Sequence, residues 1–248
     1  GGSSCVRWTE RAGTQEIYAT KVFNKLQPEN CKLLAAELLA LLMVDSPCIV
    51  RFYGAWVDSN NINLTLEAMR LGSLFDMIFL KGSPCFSRPP GLLRWRNWSS
   101  AEDGGDQQHA QKDETAVIAM AFQILWGLEY LHSEGIVHRD VKPANVLANT
   151  CGSVKLADFG TAIFLKEEVD DCMGTFRYMP PESVTRKAGD VWAAGLVVAE
   201  IFARQVPFKS CNSQVELAQL LDESDAATIM EHVLPKRSRA PESITRLV

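Results

Sequence analysis

The run His138-Arg139-Asp140-Val141-Lys142-Pro143-Ala144-Asn145, followed by Asp158-Phe159-Gly160, is the stretch from which the fold of this 248-residue chain can be read. A hydroxyl nucleophile needs an acceptor aimed at its proton, and Asp140 is the candidate for that role. A metal-bound triphosphate calls for hard oxygen ligands, of which Mg2+ takes only one or two from protein; Asn145 and Asp158 supply that chemistry. Lys142, two residues beyond Asp140, carries a cation within reach of a transferring phosphoryl group. Any one of these side chains alone would read as a solvated loop residue. Their order and spacing together point to phosphoryl transfer.

This set resembles the catalytic loop and metal-binding motif of the protein kinase family. The resemblance covers most of the chain and implies ATP and Mg2+ as cofactors. Ala19-Thr20-Lys21 is similar to the family's third-strand motif, which makes Lys21 a ligand of the α- and β-phosphates and Glu37, on the following helix, its ion-pair partner. By the same resemblance Val6, Ala19 and Leu147 sandwich adenine, Leu66 is the gatekeeper, and the backbone from Glu67 to Met69 meets the adenine edge. The glycine-rich loop matches only in part. Counting back from Val6 puts Gly1 at its second glycine and Ser4 at its third, with the first missing. Met179-Pro180-Pro181-Glu182 resembles the element that closes the activation segment. Asp190-Val191-Trp192 with Gly195 resembles the start of the buried central helix, where Asp190 supports the catalytic-loop backbone. Phe159, His138, Leu41 and Phe52 match positions that stack into an apolar column between the lobes.

Lys142 is similar to the catalytic-loop lysine of serine/threonine kinases. The runs Ser46 to Ala55, Glu67-Ala68-Met69 with Gly72-Ser73-Leu74, and Gly174 to Met179 together resemble the MAP-kinase-kinase group of dual-specificity enzymes. That likeness implies a protein substrate, a MAP kinase among the candidates, phosphorylated on Ser/Thr with Tyr left open. Members of the group carry two phosphorylatable residues four apart in the activation segment. Glu167 and Asp171 stand at those positions here, so carboxylates are expected where phosphates belong; an acidic loop that only keeps the surface soluble is the alternative. Two other readings stay open. One is a catalytically weak pseudokinase serving as a signalling scaffold, suggested by the missing glycine. The other is a small-molecule kinase of similar fold, against which the Gly174 to Glu182 element speaks.

A net charge of −5 and a pI near 5.5 argue against a nucleic-acid or membrane-surface partner. Seven cysteines, odd in number and never spaced C-x-x-C, exclude a disulfide framework and suggest reduced, buried thiols. The longest apolar stretches, Leu33 to Val44 and Ala193 to Ala203, fall short of the roughly 18 to 20 residues of a membrane span and contain Glu37 and Glu200. A cytoplasmic location is expected, with shuttling to the nucleus open, and nothing fixes the oligomeric state.

Strands are expected at Cys5 to Trp8, Ile17 to Phe23, Ile49 to Tyr53 and Ile62 to Leu66, with a helix from Asn30 to Leu42. Helices dominate after Leu74. Ala116 to Ser133 carries Ile118, Phe122, Leu125, Leu128 and Leu131 on one stripe, and Asp190 to Ala203 is apolar almost all round, as a buried helix would be. The Pro- and Gly-rich stretch from Lys81 to Thr115 reads as a disordered insertion. The expected fold is α+β and two-lobed, similar to protein kinases. Residues 1–69 form a small N-lobe, an antiparallel sheet plus one helix, that starts with an incomplete glycine-rich loop. Residues 70–248 form a larger, mainly helical C-lobe with the insertion at 81–115 and a trimmed C-terminus lacking an arginine partner for Glu182.

Overall fold

The computed structural model describes residues 4–24, 29–79, 107–165, 174–181 and 186–234. Among these, β1 (Ser4–Glu10), β2 (Ile17–Asn24), β3 (Phe52–Val57) and β4 (Asn61–Glu67) form one antiparallel sheet in the order β1-β2-β4-β3. The turn after β1 needs a left-handed residue, and Gly13 takes it at φ 79°. From Ala19 to Phe23 every residue of the inner strand β2 is buried. Helix α1 (Glu29–Met43) has no glycine, proline or β-branched residue and is rich in Ala and Leu. It turns Leu34, Glu37 and Leu41 inward at helical spacing.

The chain then crosses from the sheet to the second lobe through residues 68–71, β5 (Gly72–Ser73) and the short helix α2 (Leu74–Phe79). A reciprocal cap sets this corner: Asp76 accepts from the Ser73 amide at 3.0 Å, and the Asp76 amide donates to Ser73 Oγ at 3.1 Å. Four further helices follow among the described residues: α3 (Gln107–Ser133), α4 (Lys187–Ala203), α5 (Gln214–Glu223) and α6 (Ala226–Val233). Between α3 and α4 lie β6 (Ile136–Val137), β7 (Val146–Ala148), β8 (Val154–Leu156) and β9 (Ile163–Phe164). The main core unites α1, α3 and α4 with these short strands; a second apolar cluster joins α4 to α5 and α6. The small sheet-bearing lobe and the larger helical lobe make the two-lobed α+β fold that the sequence implies.

Four expectations need correction. Residues 107–115 belong to α3 rather than to an insertion; their Gln, Ala, Lys and Glu are helix formers, and no glycine or proline falls between Gly105 and Gly127. Residues 81–106 lie outside the described residues. Second, the buried stripe of α3 is Val117, Ala121, Ile124, Leu128 and Leu131, whereas Ile118, Phe122 and Leu125 face outward with Trp126. The helix carries two apolar stripes, and close approach selects between them. A Cβ on Gly127 would stand 2.9 Å from Leu156 Cδ1 and 3.1 Å from the Cys48 carbonyl, so only the face bearing Gly127 fits against β8.

Third, the strand expected at Ile49 to Tyr53 begins at Phe52, because Cys48 to Val50 pair with β8 instead. Leu156 N donates to Cys48 O and Val50 N to Leu156 O, both at 2.9 Å. An apolar run shows that its residues are buried but not which strand buries them. Fourth, Cys48 and Cys211 are buried, but Cys5, Cys31 and Cys151 are exposed. No helix among the described residues is long and apolar enough to cross a membrane.

Candidate active site

Two small ladders bring the decisive motifs together. Pairing of β7 with β8 and of β6 with β9 joins the loop that carries Asp140 to the loop that carries Asp158. Ala157 N donates to Asn145 O at 2.9 Å and ties the two loops directly. Both loops bend through left-handed backbone at non-glycine residues, Arg139 at φ 66° and Asp158 at φ 63°. Such conformations cost about 1 kcal/mol or more each and persist only where the surroundings hold them.

Asp190, buried at the start of α4, is one such support. Its Oδ2 accepts from His138 N at 2.9 Å and its Oδ1 from Arg139 N at 2.8 Å, with His132 Nε2 also 2.8 Å from Oδ2. The His138 ring stands 5.1 Å from the Phe159 ring, and Phe159, Leu41 and Phe52 share one apolar core. Of the four residues expected to form a column, His138 and Phe159 are in ring contact, and Leu41 and Phe52 belong to the same core.

Lys21 reaches from β2 to both halves of the site. Its Nζ lies 2.8 and 2.7 Å from the Glu37 oxygens and 2.8 Å from Asp158 Oδ1. The Lys21 and Glu37 side chains are 8% and 1% exposed, whereas Asp158 remains 49% exposed. Burial alone would lower the Lys21 ammonium, but the Glu37 and Asp158 carboxylates outweigh it and hold the pKa above its ordinary value. Burial pushes the Glu37 carboxyl up to about 7, against the pull of Lys21. For Asp158 burial acts upward too, yet the Lys21 charge and hydrogen bond prevail and keep it below the usual carboxylate range.

Asp140 is held from three directions. Lys142 Nζ donates to its Oδ2 at 2.6 Å, and Asn145 Nδ2 donates to its Oδ2 at 3.0 Å and to its carbonyl at 2.8 Å. Thr175 donates to Oδ1 through its amide at 3.0 Å and its hydroxyl at 2.8 Å, and the hydroxyl also accepts from Lys142 Nζ at 2.8 Å. Thr175 is a site residue that sequence reasoning missed. It stood within the quoted Gly174 to Met179 run, but nothing in that run signals a contact with a carboxylate 35 residues away.

Leu66 and Leu147 pack with Met69, Val50 and Ala157 in one small apolar cluster, and Ala19 pairs with Leu66 across β2 and β4. Val6 stands opposite Lys21 on β1 and is exposed. Met69 is buried, with its carbonyl accepting from Gly72 N at 3.0 Å. The Glu67 side chain pairs with Lys155 at 2.7 Å. Ser4 begins β1. Gly1, Glu167, Asp171 and Glu182 lie outside the described residues. No group of three or more His, Cys, Asp or Glu side chains among the described residues forms a metal cage. The donor set formed by Asp158 and Asn145 suits a cation that also binds phosphate oxygens, because Mg2+ takes few protein ligands.

Comparison with known proteins agrees with this geometry. The chain is 31% identical over 235 residues to mitogen-activated protein kinase kinase 7 of Arabidopsis thaliana, which covers 89% of this chain and 66% of that relative. It is 30% identical over 233 residues to mitogen-activated protein kinase kinase kinase 1 of the same plant, covering 89% and 33%. To serine/threonine-protein kinase PKH2 of Saccharomyces cerevisiae it is 28% identical over 243 residues, covering 89% and 20%. The chain therefore spans between 20% and 66% of the length of these relatives. The family model for the protein kinase domain matches residues 1–248. The chain belongs to the eukaryotic protein kinase family.

Proposed function

We propose that this chain transfers the γ-phosphate of ATP to serine and threonine hydroxyls of a protein substrate, and that the substrate is a MAP kinase. The observation that carries the activity is the Asp140 carboxylate, fixed by Lys142, Asn145 and Thr175 beside the Lys21, Glu37 and Asp158 cluster. In this mechanism Asp140 accepts the proton of the attacking hydroxyl, and Thr175 and Asn145 hold it at the angle to do so. Lys142 offsets charge on the transferred group. Lys21, kept charged by Glu37, binds the α- and β-phosphates.

Asn145 donates its Nδ2 to Asp140, which leaves its carbonyl oxygen, together with the Asp158 carboxylate, to hold Mg2+. The bound metal supplies neutralisation of the phosphate charge. Val6, Ala19 and Leu147 enclose adenine, with Leu66 behind it and the backbone of Glu67 to Met69 along its edge. By the same resemblance Ser4, with Gly1 outside the described residues, would cover the phosphates. Similarity to a mitogen-activated protein kinase kinase supports the substrate class. The assembled cluster favours catalysis over a scaffold role, because an isolated Lys21–Glu37 pair at this depth would cost desolvation without a task.

The test is an assay with Mg·ATP against a panel of catalytically inactive MAP kinases, with phosphosites mapped. Phosphate on activation-loop residues of one of them is the expected result. Phosphorylation of generic protein but of no MAP kinase would keep the activity and remove the substrate class.

A further inference from the structure

Lys155 and Glu67 form an ion pair that the mechanism above does not use. Val154 and Leu156 of β8 are buried, so Lys155 between them projects from the opposite face of the strand, level with Leu147 on β7. Its Nζ lies 2.7 Å from Glu67 Oε2, with the two side chains 13% and 21% exposed. The same oxygen accepts from Arg51 N at 3.2 Å, and Glu67 N donates to Arg51 O at 2.8 Å. Glu67 is thus pinned from the larger lobe by Lys155 and from the smaller lobe by the backbone just before β3.

The position of the pair gives it a consequence. Glu67 opens the chain crossing whose backbone meets the adenine edge, and Lys155 stands three residues before Asp158. Leu66, next to Glu67, and Leu147, opposite Lys155, belong to the same apolar cluster. One ion pair therefore spans from the adenine edge to the strand that leads into the Asp158 loop. Hydrogen bonds to a ring edge weaken steeply outside 2.7 to 3.2 Å, so slack of a few tenths of an ångström in this span is felt by the nucleotide.

We propose that Lys155 is a positioning residue for the nucleotide: through Glu67 it straps the chain crossing to β8 and sets the spacing between the adenine edge and the Asp158 loop. This rests on reading Glu67 to Met69 as the adenine edge. The pair is only partly buried, so its loss is worth more than an exposed pair and less than a fully buried one.

Steady-state kinetics of Lys155→Met, which keeps the aliphatic stem, test the strap. KM for ATP should rise about fivefold, with kcat and KM for the protein substrate within about twofold of wild type. Lys155→Arg should restore most of the ATP affinity. Glu67→Gln should match Lys155→Met, and the double variant should be no worse than either single one. An unchanged KM for ATP, a fall in kcat alone, or additive single effects would each overturn the proposal. If Lys155→Met does not fold, Lys155→Arg and Glu67→Gln carry the same comparison. If the wild-type protein turns over no ATP, the proposed function fails, but the strap is still read from ADP binding. An ADP affinity about fivefold weaker in Lys155→Met supports it, and equal affinity rejects it.

Discussion

Gly174 connects the activation segment to the catalytic carboxylate, and replacing it with alanine should uncouple them. Its φ is 125°, a region that side chains rarely adopt, and a Cβ there would stand 2.5 Å from the Arg139 carbonyl oxygen. Ordinary contact begins at 3.4 Å, so the backbone must retreat by about 0.9 Å or change φ. Neither route is local. The neighbouring Thr175 amide and hydroxyl reach Asp140 Oδ1 at 3.0 and 2.8 Å, and a retreat of that size takes both beyond hydrogen-bond distance. Arg139, already at φ 66°, has little freedom to yield. Strain and overpacking of this kind cost roughly 1 to 3 kcal/mol each. A misplacement of about 1 Å at a reacting group lowers the rate on the order of 10²-fold. Gly174→Ala should therefore lower kcat by roughly 10- to 100-fold while KM for ATP stays within about threefold, because Lys21, Glu37 and Asp158 are untouched. Assays on a generic protein substrate, with melting curves alongside, measure this. A variant with wild-type kcat would refute the link from Gly174 through Thr175 to Asp140.

Glu200, buried on α4, tests the electrostatics. Burial pushes its carboxyl up to about 7, and the hydrogen bond from Tyr178 at 2.6 Å offsets only part of this; its Oε1 has no partner among the described residues. Since the folded value lies above the ordinary 4.5, the group stabilises the fold fully below about pH 4.5, and that contribution is lost as pH rises through about 7. Relative to Glu200→Gln, wild type should lose on the order of 3 kcal/mol between about pH 5 and pH 8 in chemical denaturation; parallel profiles would contradict this. Asp190→Asn offers one acceptor oxygen where His138 N and Arg139 N need two, leaving a buried donor unpaired at about 1 to 3 kcal/mol. It should melt earlier and lose more than about tenfold in kcat with little change in KM for ATP, and a variant with wild-type kcat would contradict the role of Asp190.

Local chemistry made much of the site readable from sequence. Asp140, Asn145 and Asp158 were readable from their order and chemistry, whereas Lys21 and Glu37 were readable only through the resemblance to the kinase family's third-strand motif and the helix after it. Contacts made only by folding were not readable. Thr175 meets Asp140 because Gly174 lets two backbones approach, and Lys155 meets Glu67 across 88 residues. The α3 stripe was misjudged because Ile118, Phe122 and Leu125 repeat with the same period as the residues actually buried. Only the Gly127 contact, invisible to periodicity, chooses between the two faces. Residues 107–115 look like loop by polarity, yet polarity and helix propensity are independent.

The most direct test of the central claim is transfer of labelled γ-phosphate from Mg·ATP to a protein substrate by wild type and Asp140→Asn side by side, with nucleotide affinity measured on the same preparations. Asparagine keeps the size of the side chain but removes the acceptor for the substrate proton. Wild type should transfer phosphate, and the variant should be roughly 10² to 10⁴ slower while binding nucleotide as before. Equal transfer by the two proteins would contradict the role given to Asp140. A wild-type protein that binds nucleotide yet phosphorylates no protein would contradict the activity itself.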